Sequence, residues 1–151
     1  MNVVILGCGR SGSALALQLG NRGHNVVVID RNPESFRRLG KNHPVKVVIG
    51  NGLDADALEK AKIREADVFV AMTRGDNTNL MAAQIAKLRY EVKRSCAKVA
   101  DPNRAEAYRK LGLFCINASS LMAGLCLDWM LEEEYKPINT YNVLPPEQEV
   151  N

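Results

Sequence analysis

Residues 3–32 read "VVILGCGRSGSALALQLGNRGHNVVVIDRN", in which an apolar run, a glycine-rich turn, a helical pattern and a second apolar run ending on Asp30 follow one another directly. The turn Gly7-Cys8-Gly9-Arg10-Ser11-Gly12 has GxGxxG spacing, leaves a strand and opens a helix. Its first glycine permits a tight turn, its second lets a pyrophosphate approach the backbone, and its third lets the helix pack closely on the strand. The helix start then offers unpaired N–H groups and a partial positive charge to an anion. Glycine-rich turns also serve plain strand-to-helix connections, so the spacing is weak evidence until its context is added. Asp30 supplies that context, ending the second run 18 residues after Gly12. A carboxylate there can accept hydrogen bonds from an adenosine ribose and repel a 2′-phosphate, which favours NAD over NADP. Arg31 reads either as charge for a 2′-phosphate or as a solvated turn residue.

The same alternation continues along the chain. Apolar, β-rich runs recur at Val3–Leu6, Val26–Ile29, Val45–Ile49, Val68–Met72, Ala97–Ala100 and Phe114–Ile116, not alternating and broken only by Lys46 and Lys98, and so expected to be buried on both faces. Helix-start chemistry separates them at Asn32-Pro33, Asp54, Asp76-Asn77-Thr78, Asp101-Pro102 and Ser119-Ser120. Alternating strands and helices with right-handed crossovers predict an α/β fold, a Rossmann-like doubly wound parallel sheet of about six strands with helices on both faces. With 151 residues, one domain with one core is expected.

Composition narrows the function classes. The net charge of +3 is spread without like-charge blocks, and aromatic residues are few, so no nucleic-acid partner is indicated. Cys8, Cys96, Cys115 and Cys126 lack CxxC spacing and read as small buried thiols in a reducing compartment. There is no signal-peptide pattern and no apolar run long enough for a membrane helix, so a soluble, cytoplasmic protein without direct membrane insertion is expected.

Three further loops leave the carboxyl ends of predicted strands, the edge where doubly wound sheets bind ligands. In "GNGLD" (50–54), Asn51 can hydrogen-bond an adenine edge and Gly52 permits unusual backbone angles; the alternative is a turn with an Asp54 cap. "AMTRGDNTN" (71–79) places Thr73 and Arg74 as a polar mouth over phosphates, with Asn77 and Asn79 read as capping groups. Lys98 interrupts an apolar strand, either snorkelling at a sheet end or aimed at an anionic ligand.

These pieces together resemble the RCK/KTN (TrkA-N) domain family of nucleotide-binding regulators of bacterial potassium uptake systems and potassium channels. The resemblance is carried by the opening stretch and by "VIGNGLD", "ADVFVAMTRGDNTNLMAAQIAK", "CAKVADPN" and "LGLFCINAS", in that order from Met1 to about Glu133. It implies a site for NAD(H) or an adenine nucleotide (ATP, ADP or AMP). Gly7, Cys8, Gly9, Arg10, Ser11 and Gly12 would lie under the phosphates, Asp30 beside the ribose, Asn51 and Gly52 near adenine, Thr73 and Arg74 over the pyrophosphate, and Lys98 at a basic strand position. Arg10 would reach a phosphate, in some members that of a neighbouring subunit. Asn51 stands where aspartate is usual, Lys98 for the commoner arginine, and Ala118-Ser119 for Ser-Pro. The resemblance also implies residues 1–133 as the nucleotide-binding lobe, and 134–151, with Pro137, Pro145 and Pro146, as a tail or the start of a second lobe.

In "SSLMAGLCLDWMLEEE" (119–134) the polar positions Ser120, Gly124, Asp128 and Glu132 form one narrow stripe, leaving the other faces apolar. A helix covering only its own sheet shows a wider polar face, so a second buried face against another chain is expected, the alternative being a central helix of one large core. The resemblance agrees, implying homodimers paired through a C-terminal crossover helix, assembled into a ring and linked to a membrane-embedded potassium channel or transporter subunit. An NAD-dependent oxidoreductase is the competing class; hydride transfer needs a substrate pocket with a proton donor or acceptor, and neither His24 nor His43 lies at the ligand edge.

Overall fold

The computed structural model describes residues 1–143. Six strands, β1 (Asn2–Leu6), β2 (Asn25–Asp30), β3 (Lys46–Ile49), β4 (Val68–Ala71), β5 (Arg94–Val99) and β6 (Phe114–Asn117), form one parallel sheet in the order β3-β2-β1-β4-β5-β6. The connecting helices are α1 (Arg10–Asn21), α2 (Ala55–Lys60), α3 (Asp76–Leu88) and α4 (Pro102–Lys110), with a 3₁₀ helix at Pro33–Leu39 and a 3₁₀ turn at Ile63–Glu65. Two helices, α5 (Ala118–Met130) and α6 (Ile138–Tyr141), follow the sheet. This is the Rossmann-like α/β topology, with the order reversing between β1 and β4. Loops leaving those two strands diverge in opposite directions and open a crevice at the carboxyl edge. No helix among the described residues is long and apolar enough to cross a membrane.

Instead of one core there are two apolar layers, one on each face of the sheet. Val3, Ile5, Val26 and Val28 pack with Ala16 of α1 and Leu39 of the 3₁₀ helix, while Val4, Leu6, Phe69, Ala97 and Val99 pack with Leu58 of α2, Leu80 and Ala83 of α3 and Ala105 of α4. Burial on both faces does not extend to every strand. Val70, Cys96 and Ile116, on the α1 face beyond β1, are half-buried, and Phe114 is 55% exposed there. On the edge strand β3, Val47 and Ile49 are exposed. The thiols divide likewise. Cys8 and Cys115 are buried and Cys96 half-buried, but Cys126 is exposed on α5, contrary to the expected buried set. Burial pushes the Cys96 thiol up to about 12 and that of Cys115 to about 11.

Three of the expected helix starts form otherwise. Asn32 and Asp101 do cap, accepting from the amides of Glu34 (3.0 Å) and Arg104 (2.9 Å), each with proline next in sequence. Asp54 occupies the cap position of α2, yet its Oδ1 accepts from Asn51 Nδ2 at 3.1 Å. The Asp76 carboxylate binds the amides of Ala100 and Asp101 across the sheet edge, and α3 begins from Gly75. Ser119 and Ser120 lie inside α5, whose cap is Asn117.

The segment after Glu133 carries α6, which returns to α5 and β6; Pro145 and Pro146 lie outside the described residues. The return turns α5 over relative to its sequence pattern. Ser120 and Asp128 are buried and the Tyr141 ring lies against Gly124, so these three members of the polar stripe face inward, while Glu132, beyond the end of α5, is exposed. Met122, Leu125, Leu127, Trp129 and Met130 are exposed instead. Buried Asp128 is satisfied by the Tyr141 hydroxyl, which donates to Oδ2 at 2.6 Å, and by Lys136 Nζ, which donates to Oδ1 at 3.0 Å. Those two donors hold its carboxyl below the usual carboxylate range. A depressed native value stabilises the fold above the unfolded carboxyl's pKa of about 3.9, and that contribution disappears as pH falls through the lower native value. Asp128→Asn should therefore lower Tm at pH 7 and flatten the decline in Tm below about pH 4, as circular dichroism melts across pH 7 to 2 will show.

Candidate functional site

The loops at the switch point enclose an open cleft of about 650 Å³, a size suited to a nucleotide or similar small molecule. Its floor is the β1–α1 turn. Gly7 adopts φ +103°, which a side chain would strain, and a Cβ on Gly12 would sit 2.0 Å from the Gly7 carbonyl oxygen. Nothing lies within 4 Å of where a Cβ on Gly9 would be, so the chain at Gly9 faces open space. α1 starts there with no capping side chain and no acidic residue in its first turn, leaving its first N–H groups and dipole directed at the cleft.

Asp30, half-buried at the end of β2, fixes that turn. Its Oδ2 accepts from the Cys8 amide at 2.7 Å and its Oδ1 from the Asn32 amide at 2.9 Å. Each oxygen keeps a further lone pair, so the carboxylate can hold the loop and still accept from a ligand hydroxyl. At the outer wall, Arg31 Nη2 donates to Asn51 Oδ1 at 2.6 Å, joining the loops after β2 and β3. The Asn51 amide also accepts from Leu53 N and donates to Asp54, so both its ends are engaged within the protein. Gly52 is buried where a Cβ would meet Leu6 at 2.3 Å.

The opposite wall is the loop after β4. Asn79, fully buried on α3, accepts from Thr73 N (2.8 Å) and Thr73 Oγ1 (2.7 Å). Its Nδ2 donates to Thr73 O (3.2 Å) and Lys98 O (2.9 Å). One amide side chain thus sets the mouth loop and ties it to β5. Asn79, read from sequence as a capping group, is a positioning residue. Its signal was the full burial that its helical spacing with Ala82, Ala83 and Ala86 implies.

The cleft therefore gathers Gly7, Gly9, Arg10, Ser11, Asp30, Arg31, Asn51, Gly52, Thr73, Arg74 and Lys98 from the sequence-predicted set. Two members stand apart. The Cys8 side chain is buried in the α1-side core, where desolvation and then the Asp30 charge push its thiol up, and only its amide faces Asp30. Gly12 contributes close packing and not lining. Sequence reasoning missed Asn32, Ser35, Arg38 and Thr78, which also line the cleft. Arg38 escaped because sequence marks only the Asn32-Pro33 start of its segment; on the 3₁₀ helix it lies three residues from Ser35, and both reach the cleft. With Arg38, five cationic side chains (Arg10, Arg31, Arg38, Arg74, Lys98) face one carboxylate, Asp30, so the cleft carries a surplus of positive charge. Such a surplus in a concave site concentrates anions. A separate depression of about 180 Å³ at the amino ends of β1 and β2 has none of these residues.

A family model described as the TrkA-N domain matches residues 3–117. The Trk system potassium uptake protein TrkA of Streptomyces coelicolor is 50% identical over 113 residues, covering 75% of this chain and 51% of that protein. A Trk system potassium uptake protein TrkA homolog of Methanothermobacter thermautotrophicus is 37% identical over 113 residues, covering 75% and 52%. The chain thus spans about half the length of these curated relatives. Among solved structures, the Shewanella denitrificans Kef CTD in its AMP-bound form superposes with a TM-score of 0.70 at 22% identity, covering 92% of this chain and 85% of that one. The GsuK channel bound to NAD superposes at 0.68 with 23% identity, covering 83% and 23%. At these identities the structural likeness speaks to the fold.

The Asn79 network makes its own prediction. Asn79→Ala strips the Thr73 amide of its acceptor and two half-buried carbonyls of their donor, and should destabilise the domain by about 1–3 kcal/mol in urea unfolding.

Proposed function

This chain belongs to the TrkA-N domain family, and we propose that it is the nucleotide-binding regulatory module of a potassium transport system. One observation carries the reading: the basic cleft at the switch point, with the glycine turn as floor and Asp30 at its end. In this reading a pyrophosphate lies over Gly9 and the start of α1, and Arg10, Arg74 and Lys98 neutralise its charge. Asp30 accepts from the adenosine ribose, Gly52 leaves room for adenine beside Asn51, and the Arg31–Asn51 bond closes the outer wall. NAD(H), ATP, ADP and AMP share these contacts, and the ligands named for the Kef and GsuK structures, AMP and NAD, fall in that set.

Occupancy regulates only if the nucleotide binds two conformations with different affinity. The output surface in this proposal is α5. Its exposed Met122, Leu125, Trp129 and Met130 and the half-buried sheet face at Val70, Cys96 and Ile116 are two apolar surfaces on one chain. A homodimer exchanging α5 helices covers both. Dimers built into a ring beneath a membrane-embedded transporter or channel subunit would keep this module cytoplasmic and peripheral to the membrane. Potassium enters through the named function of the curated relatives.

The oxidoreductase alternative gains nothing from the geometry. His24 Nδ1 sits 3.4 Å from the Met1 amino group and His43 Nδ1 accepts from Val45 N, both outside the cleft lining.

A thermal-shift titration with NAD, NADH, NADP, ATP, ADP and AMP tests the nucleotide reading. A ligand at a hundredfold its Kd stabilises by about 2.7 kcal/mol, a rise of several degrees. Asp30→Asn, which keeps an acceptor for the Cys8 amide, should shrink that rise for every ribose-bearing ligand; an unaltered rise removes Asp30 from the site. Trp129→Asp should convert dimers to monomers in light scattering, and an unchanged mass would exclude α5 as the interface.

A further inference from the structure

We infer that three buried asparagines, Asn79, Asn117 and Asn142, couple occupancy of the cleft to closure of a C-terminal strap, residues 136–142, over the free edge of β6. The inference rests on the nucleotide reading of the cleft and names how that site is read out. Asn79 joins Thr73 to the Lys98 carbonyl, and the Lys98 side chain itself lines the cleft. One residue further along β5, the Val99 carbonyl accepts from Asn117 Nδ2 at 3.1 Å, and the Ala100 carbonyl accepts from the same nitrogen at 3.0 Å. Asn117 Oδ1 accepts from the Ser120 amide and so caps α5, while its backbone N–H donates to Asn142 Oδ1 at 2.8 Å. Asn142 Nδ2 completes the path by donating to the Cys115 carbonyl at 2.9 Å.

The last pair has a specific geometry. A residue on a parallel neighbour would accept from Asn117 N–H and donate to Cys115 C=O, the two groups flanking Ile116. The Asn142 side-chain amide does both, standing in for one residue of a seventh strand. It blunts an edge that would otherwise present free backbone groups.

The strap has the properties of a two-state element. Between residues 131 and 143 only Tyr141 and Asn142 are buried. Closure depends on a few contacts: Tyr141 and Lys136 on Asp128, the Tyr141 ring against Gly124, and Arg109 donating to the Asn142 carbonyl. Segments with so few buried contacts open at low cost. Closed, the strap fixes the carboxyl ends of β5 and β6, and hence Lys98 and the Thr73 loop in binding position; open, it releases α5 from the sheet edge. A nucleotide touching Thr73 and Lys98 therefore favours the closed strap, and by linkage the closed strap favours the nucleotide.

NADH and ATP are the probes, on the full chain. Hydrogen exchange of the amides in residues 136–142, with and without saturating nucleotide, reads closure directly. Calorimetric affinities of Asn142→Ala and Tyr141→Phe read the reciprocal effect, with Ile63→Val as a core-destabilising control remote from both. The expected result is slower strap exchange on binding and a loss of affinity of at least about fivefold in both strap variants, with Ile63→Val binding as the wild type does. Wild-type binding with unchanged strap exchange, or wild-type affinity in both strap variants, overturns the coupling alone. If neither nucleotide binds the wild type, the cleft reading fails and the coupling falls with it.

Discussion

The contact on which the rest of the structure depends is the approach of α1 to the end of β1, where a single methyl on Gly12 would lie 2.0 Å from the Gly7 carbonyl oxygen. Because that methyl is absent, α1 begins immediately beneath the crevice instead of one turn away. Its unpaired N–H groups then become part of the cleft. Asp30 locks the same turn from the neighbouring strand through the Cys8 amide, so the start of α1 and the carboxylate at the end of β2 are positioned by one small piece of backbone. Gly7 packs against the loop after β4, where a Cβ would come within 3.0 Å of Thr73 N, and the opposite wall is registered to the floor in the same way.

Charge and neutral polarity are divided at this edge. The cations reach into open solvent at the cleft, where a bound anion would compensate them, while the buried connections between strand ends are made by neutral amides. Asparagine suits that task because it donates and accepts at once and carries no charge to desolvate. Asn79 and Asn117 each satisfy backbone groups that would otherwise be stranded where the parallel ladder ends. Asp128 is the exception, a buried carboxylate, and it is tolerated because a hydroxyl and an ammonium both reach it.

How much of this was legible depended on range. The strand–turn–helix–strand unit at residues 3–30 and the topology of the sheet rest on local periodicity and glycine spacing, which a sequence displays. Most of the cleft followed from them, since residues at the carboxyl ends of parallel strands must converge. What did not follow were assignments settled by distant partners. Asp76 resembles a helix cap in its local sequence, but the amides it binds belong to Ala100 and Asp101, 24 and 25 residues on. Arg38 follows a segment whose start alone is marked in the sequence, and the role of Asn79 was hidden by its partner Lys98, 19 residues on in β5.

The last helix shows the same limit in its sharpest form. Ser120, Gly124, Asp128 and Glu132 read as a polar stripe, and polar stripes ordinarily face water, as Glu132 does just past the end of the helix. Within α5 the stripe faces inward because residues 8 and 13 positions beyond Asp128 fold back to satisfy its charge, and because Gly124 leaves a flat site for the Tyr141 ring. With its polar side occupied, α5 can only present Met122, Leu125, Trp129 and Met130 outward. Exposed apolar area on this scale marks an interaction surface. The strap that hides the polar stripe is thus what displays the apolar one.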